Sequence, residues 1–152
     1  MTSENGTRLV RYGIIGSGHM GIEHMLNIRI SEDAEVVAFA DPDETSRKWG
    51  RDTAGPAARE YQDYRDLLAD TEVDAVIIST PNYTHVDVLA DAFQTTKHIL
   101  TEKPLCTTME DCFKVEEAAV NSPAPGTALR PDGRLVLDLQ RDDRLSTAPS
   151  PQ

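Results

Sequence analysis

The sequence predicts an α/β fold: a doubly wound parallel sheet, incomplete at its last strand, followed by an irregular C-terminal tail. Three observations predict it. Five short apolar runs alternate with segments of helical period, the pattern of strands buried on both faces and joined by crossover helices. A glycine-rich turn follows the first run, and an aspartate closes the second. Crossovers of uniform hand leave a doubly wound sheet as the economical topology. Such sheets bind ligands beyond the carboxyl ends of their strands.

The elements follow in order. Residues 9–16 (LVRYGIIG) read as the first strand. Ile22, Met25, Leu26 and Arg29 then fall on one side of a helix, with Arg29 breaking the apolar stripe. Residues 35–41 (EVVAFAD) form the second run, and a helix over 43–53 precedes a short third strand at 58–61. Residues 73–80 (VDAVIIST) are the clearest strand, bounded by Pro81. Val86, Leu89, Ala90 and Phe93 recur at i, i+3, i+4 and i+7, an amphipathic helix. Thr84, with Asp87 three residues on, gives that helix a start resembling a capping box. Residues 98–101 (HILT) make a fifth strand. Thr107 and Thr108, ahead of Glu110 and Asp111, open a last helix that runs to about Asn121.

Composition bounds the partners. A chain of 152 residues matches one domain of ~150. Its net charge of −11 argues against a nucleic-acid duplex or an anionic membrane as partner. Two cysteines, Cys106 and Cys112, fit a reducing compartment and read as packing thiols; no metal-ligand set accompanies them. No apolar run reaches signal-peptide or membrane-span length, so a cytoplasmic location is expected. All eight aromatic residues lie between Tyr12 and Phe113. Residues 122–152 hold none, yet carry five of the nine prolines and a neutral charge balance. A boundary therefore falls near Asn121, with residues 1–121 a domain and 122–152 a divergent, Pro-rich tail expected to be mobile.

The turn Gly16-Ser17-Gly18-His19-Met20-Gly21 stands between the first strand and the first helix. In that context the first glycine permits a tight turn, the second lets backbone approach a pyrophosphate, and the third brings helix against strand. Asp41 follows Gly21 by 20 residues, the interval expected for an acid that hydrogen-bonds a ribose hydroxyl. Capping the next helix is the competing role for Asp41, and Asp43 is available for it. A carboxylate repels a 2′-phosphate, which favours NAD over NADP, although Arg47 and Lys48 lie within reach of such a phosphate. The overall negative charge is screened beyond about 8 Å, so contact at the helix start decides.

Two further motifs sit at expected strand ends: Ser79-Thr80-Pro81-Asn82-Tyr83-Thr84-His85 and Thr101-Glu102-Lys103-Pro104-Leu105. With the glycine turn and Asp41-Pro42 they resemble the glucose–fructose oxidoreductase / inositol dehydrogenase (Gfo/Idh/MocA) family, from about Val10 to Asn121. The resemblance implies a Rossmann domain that binds NAD(P). It implies that Gly16, Gly18, His19, Met20, Gly21 and Asp41 hold the cofactor. Thr80, Pro81, Asn82 and His85 correspond to a loop along its nicotinamide side, and Glu102-Lys103-Pro104 to the family's Glu-Lys-Pro signature. There Lys103 assists hydride transfer at a hydroxyl-bearing carbon, and the Lys-Pro bond is often cis. His24 matches a position where the family frequently has histidine. On the residues alone, Lys103 beside Glu102 also reads as a surface ion pair, His85 as a solvent-facing residue, and His24 as a partner of a backbone carbonyl.

Two departures accompany the likeness. Thr95-Thr96 stand where relatives commonly carry a glycine ahead of Lys97-His98. The pattern also stops near Asn121, so the family's substrate domain is expected to be absent and the chain a truncated, frameshifted or alternatively assembled form. Residues 134–139 (RLVLDL) alternate in a way that suits a substitute sixth strand; an irregular tail is the other reading. The function expected is nucleotide binding by the cofactor domain of a dehydrogenase of sugars, polyols or related hydroxy compounds, with little turnover alone. The alternative is a non-catalytic nucleotide-binding or regulatory interaction protein. A methyltransferase leaves the later motifs unexplained.

Overall fold

The computed structural model describes residues 8–123, together with the backbone of 127–129 and 135–137. Five strands, β1 (Val10–Ile15), β2 (Ala34–Ala40), β3 (Arg59–Tyr61), β4 (Ala75–Ile78) and β5 (His98–Thr101), form one parallel sheet in the order β3-β2-β1-β4-β5. The order reverses between β1 and β4. The crevice beyond their carboxyl ends is where such a sheet leaves room for a ligand.

Side chains alternate across the sheet with period two. Ile14, Phe39 and Ile77 face α1 (His19–Arg29) and α2 (Glu44–Ala54), packing with Met25 and Ile28. Ile15, Val76 and Ile78 face α3 (Tyr64–Ala69), α4 (His85–Ala92) and α5 (Met109–Val120), with Leu67, Leu89, Phe93 and Val115. Each fully buried apolar side chain contributes about 1.5–3 kcal/mol, so both layers hold the sheet.

Three helices differ from the sequence reading. The buried face of α1 is Gly21, Met25 and Ile28, while Leu26 is exposed; the helix is turned so that Gly21 meets the sheet. In α4 His85, Val88, Leu89 and Ala92 are buried; of the expected stripe Leu89 and Phe93 are buried and Val86 packs against the core, so His85 and Val88 widen that face on its other side. Helix α3 was not anticipated, although Asp63 accepts from the Arg65 N–H at its start and Leu67 and Leu68 fill its inner face.

Capping also departs at two points. Thr84 closes a 3-10 turn, Asn82–Thr84, and already has helical backbone angles, so it cannot cap α4 through Asp87; its hydroxyl donates to Pro81 O instead. After α4, the Thr95 hydroxyl donates to Ala92 O and accepts from the Lys97 N–H. That closes the helix end without a left-handed glycine. Thr108 caps α5 as expected, accepting from the Asp111 N–H.

Residues 127–129 and 135–137 form strands β6 and β7, which pair antiparallel with each other in a separate two-stranded sheet. The substitute-strand segment is therefore a strand at its centre, but it does not extend the main sheet, which ends at β5. The rest of the segment read as a tail, beyond 123, lies outside the described residues. No helix among the described residues is long and apolar enough to cross a membrane.

Candidate functional site

The glycine turn is built as its spacing implies. Gly16 has φ +95°, and a Cβ there would lie 2.8 Å from the Ser79 backbone, so only glycine fits. A Cβ on Gly21 would come within 1.9 Å of Gly16 O; the helix packs on the turn at backbone distance. Gly18 differs from both. It has extended backbone angles, and a Cβ there would meet nothing within 4 Å. Gly18 is also the residue before α1, with no side chain to cap the helix and no acidic side chain in the first turn. Helices α2, α3 and α5 are capped by Asp43, Asp63 and Thr108. Among the described residues no side chain caps the α1 N–H groups; an anion at such a helix start gains about 0.3–1 kcal/mol and up to about 2 in favourable geometry.

Asp41 closes the turn from the side. Its Oδ2 accepts from the Ser17 N–H and its Oδ1 from the Asp43 N–H, both at 2.9 Å. Asp43, not Asp41, caps α2 by accepting from Ser46 N. The basic residues nearby are committed. Arg47, 12% exposed, donates to Asp41 O and Pro42 O at 2.8 Å, to Glu60 at 3.0 Å, and pairs with Glu44. Lys48 pairs with Asp52 on the outer side of α2.

Between the turn and the end of β4 lies a cleft of about 610 Å³. Gly16, Gly18, His19 and Met20 line one wall, Asp41 one end, and Thr80 and Pro81 the opposite side. Tyr64 and Tyr83 line it as well. Tyr83 lies inside the Thr80–His85 motif without having been singled out; Tyr64 belongs to the unanticipated α3. Burial, with the Asp91 carboxylate that accepts its hydroxyl, pushes the Tyr64 phenol pKa up.

Not every sequence-predicted residue reaches the cleft. Asn82 is exposed and outside its lining, and Gly21 is buried behind the turn. His85 is wholly buried. Its Nε2 lies 2.9 Å from Thr80 O and its Nδ1 2.8 Å from Pro104 O, so the ring faces backbone rather than a ligand or solvent. Glu102 and Lys103 stand past the end of β5, joined to Pro104 by a cis Lys103–Pro104 bond. They do not pair with each other: Glu102 Oε1 lies 2.7 Å from His24 Nε2. His24 thus meets a carboxylate, not a backbone carbonyl. Lys103 is exposed and has no ion-pair or hydrogen-bond partner among the described residues.

Comparisons with known proteins converge on this part of the chain. A family model described as an oxidoreductase family with an NAD-binding Rossmann fold matches residues 10–124. Inositol 2-dehydrogenase of Salmonella typhimurium is 36% identical over 110 residues, 72% of this chain and 33% of that protein. The rhizopine catabolism protein MocA of Rhizobium meliloti is 38% identical over 109 residues, 72% of this chain and 33% of that protein. Among solved structures, myo-inositol dehydrogenase from Lactobacillus casei, in complex with NAD(H) and myo-inositol, has a TM-score of 0.71 at 33% identity. That match covers 76% of this chain and 34% of the other. The chain spans about a third of the length of the curated relatives it matches.

Proposed function

The chain belongs to the Gfo/Idh/MocA oxidoreductase family with its NAD-binding Rossmann fold, and on that premise we propose how its own residues serve the cofactor and the chemistry. The pyrophosphate of NAD lies over Gly18 at the start of α1. The single observation that carries this is the empty space where a Gly18 Cβ would stand. Asp41 accepts from a ribose hydroxyl; each of its oxygens keeps a lone pair beyond the backbone bonds it already accepts. With Arg47 engaged by Asp41 O, Pro42 O, Glu44 and Glu60, and Lys48 by Asp52, no basic side chain among the described residues at that end is left to neutralise a 2′-phosphate. Thr80 and Pro81 bound the nicotinamide end; Lys103, exposed and outside the cleft lining, is assigned to that end by its place on the turn after β5.

NAD, when bound, supplies a hydride acceptor. The substrate class is a sugar, polyol or related hydroxy compound, supported by the inositol dehydrogenases among the relatives. In its neutral form the Lys103 amine would take the proton of the hydroxyl whose carbon is oxidised, while the hydride goes to the nicotinamide. Calorimetric titration of the wild type and Asp41→Ala with NAD and NADP tests the cofactor assignment. The wild type should prefer NAD by about tenfold or more, and Asp41→Ala should lose most of that preference. A preference unchanged by the substitution would contradict it.

A second reading, nucleotide binding without turnover, is supported by the lone amine: Lys103 has no acid or imidazole partner among the described residues. NADH formation from NAD and myo-inositol by the 152-residue chain separates the two. Slow or no formation beside intact NAD binding is expected for this chain, and robust formation lost in Lys103→Ala would favour the full reaction.

A further inference from the structure

The turn carrying Lys103 is held on both sides of the lysine. Glu102, just before it, faces His24 of α1 at 2.7 Å. The carbonyl of Pro104, just after it, faces Nδ1 of His85 at 2.8 Å. The other ring nitrogen of His85 faces Thr80 O at 2.9 Å. One rigid imidazole, wholly buried, therefore sets the spacing between the exit turns of β4 and β5. His24 ties the same turn to the helix that begins at Gly18. Neither histidine lines the cleft.

Resting on the reading of the cleft given above, we infer that His24 and His85 are positioning residues, a two-point clamp that fixes the Lys103 turn against the nicotinamide end of the cleft. A flexible, exposed lysine side chain gains little placement from its own contacts. Its backbone must be placed by its neighbours, and a reacting group displaced by about 1 Å can lose 100-fold in rate. The clamp supplies that placement through residues 102 and 104. It also couples the α1 helix to the reactive end, because Gly18 stands at the start of the helix that carries His24 at its middle.

The test compares ADP-ribose, which lacks nicotinamide, with NADH, in the full chain. His24→Leu removes the donor to Glu102; His24→Gln keeps an N–H in that region. In His24→Leu, ADP-ribose affinity should stay within about twofold of wild type while NADH affinity falls about fivefold or more, and the emission of bound NADH should move towards that of free NADH. His24→Gln should recover part of both signals. In a Lys103→Ala background, His24→Leu should change NADH affinity by less than about twofold, the coupling expected of residues acting through one another. His85→Gln should behave like His24→Leu; the half-buried His24 pair decides the matter if that buried substitution impairs folding. Parallel loss of both ligands, or NADH affinity unchanged in His24→Leu, would overturn the clamp. Failure of the wild type to bind either ligand would instead overturn the functional reading beneath it.

Discussion

A methyl group on Gly21 would strike Gly16 O at 1.9 Å, whereas one on Gly18 would meet nothing within 4 Å. Two glycines three residues apart thus serve opposite ends, one packing and one space. Gly21→Ala should cost about 1–3 kcal/mol or more, because backbone rather than a flexible side chain must give way. Urea denaturation measures it; an unchanged midpoint would mean that helix and turn are not in contact. These glycine roles were legible because the motif's spacing encodes them. The histidines were not. His24 finds Glu102 across 78 residues, and His85 finds Pro104 across 19, partnerships that no local pattern announces. Reading the α4 stripe from its apolar residues placed His85 outside, since the polar member of a buried face carries no hydrophobic signal.

The strands were readable because both faces of the sheet are covered and their runs are nearly unbroken: β4 is buried at all four positions. Helix α3 escaped notice because six residues give less than two turns of periodicity, although Tyr64, Leu67 and Leu68 hold the right spacing. At the far end of the sheet, away from the cleft, β1 and β4 are stapled by charge. Arg11 donates to Asp74 from its backbone N, Nε and Nη2, and Arg8 adds another bond. The Arg11 hydrogen bonds hold the Asp74 carboxyl below the usual carboxylate range. Its folded pKa is depressed, so its stabilisation is complete above the unfolded value near 4 and is lost as pH falls through the folded value. Asp74→Asn should destabilise the chain at neutral pH by about 1–2 kcal/mol, allowing for solvent screening. It should also flatten the loss of stability as pH falls below about 4. Urea midpoints across that range for both chains check it, and an unaltered acid slope in Asp74→Asn would exclude the staple.

At the scale of the whole molecule, the reversal of strand order between β1 and β4 opens the cleft. Everything proposed for the chemistry sits on the loops at that end. Asp41 leaves β2, Thr80 leaves β4 and Lys103 leaves β5, so one edge of one sheet sets their spacing. The architecture followed from the alternation of apolar runs and from the family motifs. At the edge of that sheet, β5 leaves its own Leu100 half exposed. The cleft is the feature on which cofactor, clamp and lysine all depend. Calorimetric titration of NAD into the wild type and Gly18→Ala tests it most directly, since that substitution meets no protein atom and should leave the urea midpoint unchanged. We expect saturable binding at one site in the wild type and affinity about tenfold or more weaker in Gly18→Ala, a difference of about 1.4 kcal/mol or more. Equal affinity in the two folded chains, or no binding by the wild type, would contradict a pyrophosphate over Gly18.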